Sequence, residues 1–125
     1  MLTIAVAAGV LIPSSPAAAT STVLCSGYSS CASEGYSTSG YSISQSKSYW
    51  QMYTGTNCTN YVAYRLQTTN GMSNTRPRSG VGNANVWGTV MSSITNSTPA
   101  VGSVAWWGPS PGHHVAYVEK VVSPT

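Results

Sequence analysis

The C-terminal end of the chain sets the tightest limit on its fold. Two runs, "VGSVAWW" (101–107) and "HVAYVEKVV" (114–122), are rich in β-branched, aromatic or alternating small and apolar residues, and "GPSPGH" between them is made of turn formers. Side chains of these kinds fit a pleated, half-buried surface, so the two runs predict strands joined in a hairpin. Two strands alone cannot stand in water, and other elements have to cover one face.

The covering elements are predicted upstream, where the apolar spacing becomes helical. "SKSYWQMY" (46–53) places Tyr49, Met52 and Tyr53 at i, i+3 and i+4, which predicts a short helix ended by Gly55. A second helix begins at Cys58. Tyr61, Val62, Arg65 and Leu66 continue its face, Asn57 or Thr56 can cap it, and "TTNG" closes it at Gly71. "MSNTRPRSGVG" reads as an exposed loop, and "NANVWGTVMSSI" as a third short helix with Val86, Val90 and Met91 inward and Trp87 alongside. Residues 20–45 repeat "GYS" at Gly27, Gly35 and Gly40 among Ser and Thr, a pattern of turns rather than helix. Helices first and strands second make an α+β protein. A chain of 125 residues, 42% of them hydrophobic, suffices for one core and hardly for two.

The first nineteen residues, "MLTIAVAAGVLIPSSPAAA", run from an apolar stretch to small residues that fit an A-x-A cleavage site, which predicts a secretory signal peptide over 1–19. The apolar run is too short to span a bilayer and Pro13 stops it, so no membrane segment is expected after cleavage. Export bears on the three cysteines, because oxidising compartments pair thiols. Cys25 and Cys31, six positions apart in the leader 20–45, form the expected disulfide. Cys58 is left over, either as a reactive thiol or as a small buried hydrophobe. The net charge of +3 comes from scattered Lys and Arg, and with no basic run there is no electrostatic footprint for nucleic acid.

A thiol becomes a strong nucleophile when deprotonated, and the first turn of a helix favours the anion through its unpaired N–H groups. Such a nucleophile also needs a base, and the chain has only His113 and His114. Neighbouring strand residues face opposite sides, so one of the two can meet the helix. His114 shares its face with Ala116 and Val118, small or apolar residues suited to packing, and is the expected partner. By the same alternation Glu119 points away from His114's face and is expected as a surface charge partnered by water or Lys120. Tyr61, Trp87 and Trp107 are candidates to line a groove, although aromatic residues at such spacings also build cores. Two adjacent histidines and a distant cysteine fall short of a zinc ligand set, and no metal or cofactor is expected.

Four ordered blocks, "NCTNYVAYR", "GNANVWG", "PAVGSVAWW" and "GHHVAYVEKV", resemble those of CHAP domains, the cysteine, histidine-dependent amidohydrolase/peptidase family. The resemblance runs from about Tyr49 to Val122. It implies a papain-like α+β fold with N-terminal short helices packed on a C-terminal antiparallel sheet, a nucleophile at Cys58 and a histidine at His114. It further implies cleavage of an amide bond in bacterial cell-wall peptidoglycan, by an N-acetylmuramoyl-L-alanine amidase or an endopeptidase. The expected protein is then a secreted, wall-associated monomer without a cofactor, whose CHAP-like domain covers 46–125. Papain-like enzymes orient their histidine with a third polar residue on a later strand; the chain ends at Thr125 before one, so the expectation is a domain lacking its last strands. A wall-binding module with a vestigial site is the alternative reading.

Overall fold

The computed structural model describes residue 25 and residues 28–110 and 112–122; the signal-like stretch 1–19 lies outside them. Its helices are α1 (Tyr28–Ser33), α2 (Tyr41–Ser44), α3 (Cys58–Thr68) and α4 (Trp87–Val90), with 3-10 turns at Ala84–Val86 and Ser92–Ile94. Its strands, β1 (Val104–Trp107) and β2 (His114–Tyr117), pair antiparallel. The fold is α+β: helices and turns pack on one face of a hairpin. A disulfide joins Cys25 to Cys31.

Helix α3 forms where the periodicity placed it. The Asn57 side-chain oxygen accepts from the Asn60 N–H at 2.9 Å and from the Thr59 hydroxyl at 3.0 Å, capping the first turn. At the other end Gly71 takes a left-handed φ of 73° and the Met72 N–H reaches back to the Leu66 carbonyl, the closure that a glycine past a helix end permits. The helix buries Val62, Ala63 and Leu66 in a core with Trp50, Met52, Val81, Ala84, Trp87 and Val115.

Two expected helices are corrected. Residues 46–53 make turns, because side chains from elsewhere take their backbone groups. Asn60 accepts the Tyr49 N–H and Asn74 the Trp50 N–H, each at 2.8 Å, while Arg76 donates to the carbonyls of Trp50 and Gln51. Trp50 and Gln51 adopt left-handed φ of 51° and 58°, which swings the Trp50 indole into the core. Residues 83–94 break into the 3-10 turn Ala84–Val86, α4 and the 3-10 turn Ser92–Ile94. Ala84, Trp87 and Gly88 are the buried residues of this stretch, and Val86, Val90 and Met91 pack around the core's edge.

The leader is also more helical than expected. It carries α1 and α2, and Tyr41 is wholly buried, its ring edge-on to Tyr61 and tilted on Tyr64. Burial raises the pKa of the Tyr41 phenol despite its hydrogen bond with Asn60.

The hairpin pairs Val104 with Tyr117, Ala105 with Ala116, Trp106 with Val115 and Trp107 with His114. Val115 lies in the core, the Trp106 indole N–H donates to the Ala84 carbonyl, and Tyr117 lies under the Arg65 guanidinium at 4.1 Å. The face carrying Val104, Trp106, Val115 and Tyr117 therefore covers the helices. This reverses the expected orientation of His114, Ala116 and Val118, because burying Val104, Trp106, Val115 and Tyr117 removes more apolar surface from water than burying Ala105, Ala116 and Trp107 with a histidine. Glu119 is corrected with it: it forms a two-pronged ion pair with Arg65.

Candidate active site

The site begins with the cap of α3. Asn57 takes the Asn60 N–H, and the Tyr61 N–H bonds the Asn57 carbonyl, but the N–H groups of Cys58 and Thr59 make no hydrogen bond among the described residues. A thiol and two open N–H donors thus share one helix start, where the macrodipole favours negative charge. Cys58 is unbridged and half-buried.

The approach to this helix start is braced from outside it. The Tyr41 hydroxyl donates to the Gly55 carbonyl at 2.6 Å and accepts from the Asn60 amide at 2.8 Å. The same Asn60 amide donates to the Lys47 carbonyl at 3.0 Å. Residues 55–57, which lead into Cys58, are therefore tied to both the leader and the 46–53 turn.

Cys58 opens into a cleft of about 460 Å³ lined by Tyr53, Asn57, Thr59, Asn83, Ala84, Asn85 and His113. His113 stands at the end of the hairpin turn with a left-handed φ of 44°, its N–H bonded to the Gly108 carbonyl at 3.2 Å. This local twist turns His113 toward the α3 side. His114 goes the other way: it is exposed on the outer face, its ring 5.4 Å from that of Trp107. Asn83, Ala84 and Asn85 form the opposing wall, and the Trp106 bond to the Ala84 carbonyl fastens that wall to the strand hydrogen-bonded to β2.

The structure brings together Cys58 and His113, and does not bring His114, Tyr61, Trp87 or Trp107 to the cleft. Trp87 is 1% exposed and donates to the Gly82 carbonyl, so it is core. Tyr61 packs on Tyr41 and accepts from Arg65. Trp107 lies on the outer face of β1 against His114. The residues that sequence reasoning missed are Tyr53, Thr59, Asn83 and Asn85. Tyr53 is 86% exposed, a signal available only from the structure, whereas the two asparagines stand in the "GNAN" block.

Arg65 stays out of the cleft, committed to β2. Burial works against its charge, but hydrogen bonds from it to Glu119 and Tyr61 outweigh that and hold its pKa above the usual value. Among the described residues no group of three or more His, Cys, Asp or Glu gathers as a metal site, and no helix is long and apolar enough to cross a membrane.

A thiol on a helix start and an imidazole beside an antiparallel hairpin line one cleft in an α+β, papain-like fold. The CHAP domain family model matches residues 47–124, and the chain belongs to the CHAP domain family. That family is one of hydrolases and amidases that act on peptidoglycan in general. No curated protein and no solved structure matches the chain.

Proposed function

We propose that this chain is an exported bacterial peptidoglycan hydrolase that cuts an amide bond, as an N-acetylmuramoyl-L-alanine amidase or an endopeptidase, with Cys58 as nucleophile and His113 as base. The observation that carries this is the single cleft shared by Cys58 and His113 within the span matched by the CHAP family. The signal-like residues 1–19 and the disulfide between Cys25 and Cys31 support export and a place at the cell wall.

In the proposed reaction His113 takes the Cys58 proton and the sulfur attacks the amide carbonyl carbon. The carbonyl π electrons move onto oxygen, and the N–H groups of Cys58 and Thr59 are the donors available to that oxyanion. Collapse of the adduct breaks the C–N bond, the imidazolium gives its proton to the departing amine, and a thioester remains on Cys58. Water, losing a proton to His113, attacks the thioester, releases the carboxylic acid and restores the thiol.

His113 takes this role in place of His114 because only His113 lines the cleft. The test is lysis of purified cell walls by the full chain and by Cys58→Ala, His113→Ala and His114→Ala. The first two variants should lose activity, His113→Ala by about 10²- to 10⁴-fold, the scale of removing a positioned base. His114→Ala should retain activity. Undiminished lysis by Cys58→Ala rejects Cys58 as the nucleophile, and wall binding with no lysis by the unaltered chain favours a wall-binding module; loss in His114→Ala with retention in His113→Ala reassigns the base.

A further inference from the structure

The cleft opposite the thiol carries two carboxamides that the fold does not use. Asn57, on the near wall, is fully committed: its oxygen caps α3 and its amide nitrogen donates to the carbonyls of Tyr53 and Thr54. Asn83 stands just before the 3-10 turn Ala84–Val86, where an asparagine ordinarily caps, yet its side chain makes no capping bond. Neither Asn83 nor Asn85 makes a side-chain hydrogen bond among the described residues, and both line the cleft. A carboxamide left without a partner on a cleft wall presents one acceptor and two donor hydrogens to whatever enters.

The lining is equally marked by its lack of fixed charge. None of the lining residues is Lys, Arg, Asp or Glu, and Cys58 and His113 belong to the proposed chemistry. The cations of the described chain are elsewhere. Arg65 pairs with Glu119, Arg76 with the carbonyls of Trp50 and Gln51, and Arg78 with Ser93, while Lys47 and Lys120 do not line the cleft. A carboxylate entering the cleft would meet no Lys or Arg, whereas an amide would find matching donors and acceptors in Asn83 and Asn85.

We infer that Asn83 and Asn85 form a substrate-reading wall that selects stem peptides whose carboxyl group beside the scissile bond is amidated over those in which it is free. The inference rests on the proposed function for the identity of the substrate and goes beyond it in naming the feature that is read. Asn83 and Asn85 act by binding, and the bond-breaking steps do not involve them.

The probes are two synthetic muramyl peptides that differ only in whether the carboxyl group beside the scissile amide is free or a carboxamide. Their affinities for the full-length Cys58→Ala variant are measured by calorimetry and their cleavage by the unaltered chain is followed in parallel. The amidated peptide should bind about tenfold tighter or more, the scale of leaving a charged group without a partner. Adding Asn83→Ala and Asn85→Ala together should bring the two affinities to within about twofold, mainly by weakening the amidated peptide, because the carboxamide contacts are lost. Asn85→Lys should reverse the order by supplying the missing cation. Equal affinities, no binding of either peptide, or a preference that survives loss of both asparagines overturns the inference. A preference in binding with no cleavage of either peptide by the unaltered chain overturns the proposed function instead and leaves the reading wall in place.

Discussion

The two partners of the Arg65–Glu119 pair are unequally buried, and removing them should therefore have unequal costs. The Arg65 side chain is 4% exposed and the Glu119 side chain 46%. Glu119→Ala leaves a guanidinium inside the protein with only the Tyr61 and Thr69 hydroxyls and the Tyr117 ring as partners. Stranding a fully buried charge costs about 3–5 kcal/mol, and water reaching the gap left by a half-exposed partner lowers this to roughly 2–3 kcal/mol. Arg65→Met keeps most of the buried volume and strands only a carboxylate that can turn into water. Its cost is the lost cation contact with Tyr117 and the pair itself, about 1 kcal/mol. The expected gap is about 1–2 kcal/mol, or roughly 4–16 °C in Tm for a domain of this size. Urea denaturation followed by the fluorescence of the buried Trp50 and Trp87 measures both variants. Equal losses, or a larger loss from Arg65→Met, would refute the argument that burial asymmetry governs this clamp between α3 and the end of β2.

Gly88→Ala should destabilise the protein by about 1–3 kcal/mol, the usual cost of overpacking, because the new methyl carbon would lie 2.0–2.5 Å from three atoms of the Trp106 ring. Trp106 cannot swing aside without giving up its bond to the Ala84 carbonyl, so wall lysis should fall as well; a Tm within 1 °C of the parent, checked by calorimetry, would count against this packing. The raised pKa of the Tyr41 phenol, whose first cause is burial, means that the folded state holds this proton more tightly than the unfolded chain. Its contribution to stability is complete below about pH 10, the ordinary tyrosine value, and is lost as pH rises through the higher folded value. Unfolding free energies measured from pH 8 to 11 should drop at the alkaline end, and Tyr41→Phe should flatten that drop; parallel curves for the two proteins would rule the effect out.

Helix α3 was legible in the sequence because its signals agree with one another: a cap at Asn57, a face repeating from Cys58, and Gly71 beyond the end. The hairpin was legible for the same reason, since β-branched and aromatic runs flank a Gly/Pro turn. The stretch 46–53 was not, because its conformation is decided by Asn60, Asn74 and Arg76, distant residues whose hydrogen bonds displace a local helical preference. Strand alternation implied that only one of His113 and His114 could face α3, and of the two only His113 lines the cleft with Cys58. Which one depended on whether bulk or smallness would be buried, and on a left-handed turn at His113 that no spacing rule contains. The disulfide could be inferred from arithmetic, since of three cysteines the two that lie six positions apart are the likelier pair.

The Tyr41 hydroxyl reaches the Gly55 carbonyl three positions before Cys58, yet Tyr41 precedes the first residue recognised as CHAP-like by six. A cut placed at position 47 would remove that phenol and leave Asn60 one hydrogen-bond partner short. Sequence kinship and mechanical self-sufficiency have different borders in this molecule. The family match starts at 47, and the scaffold starts earlier, in a tyrosine that a boundary drawn from that match would discard.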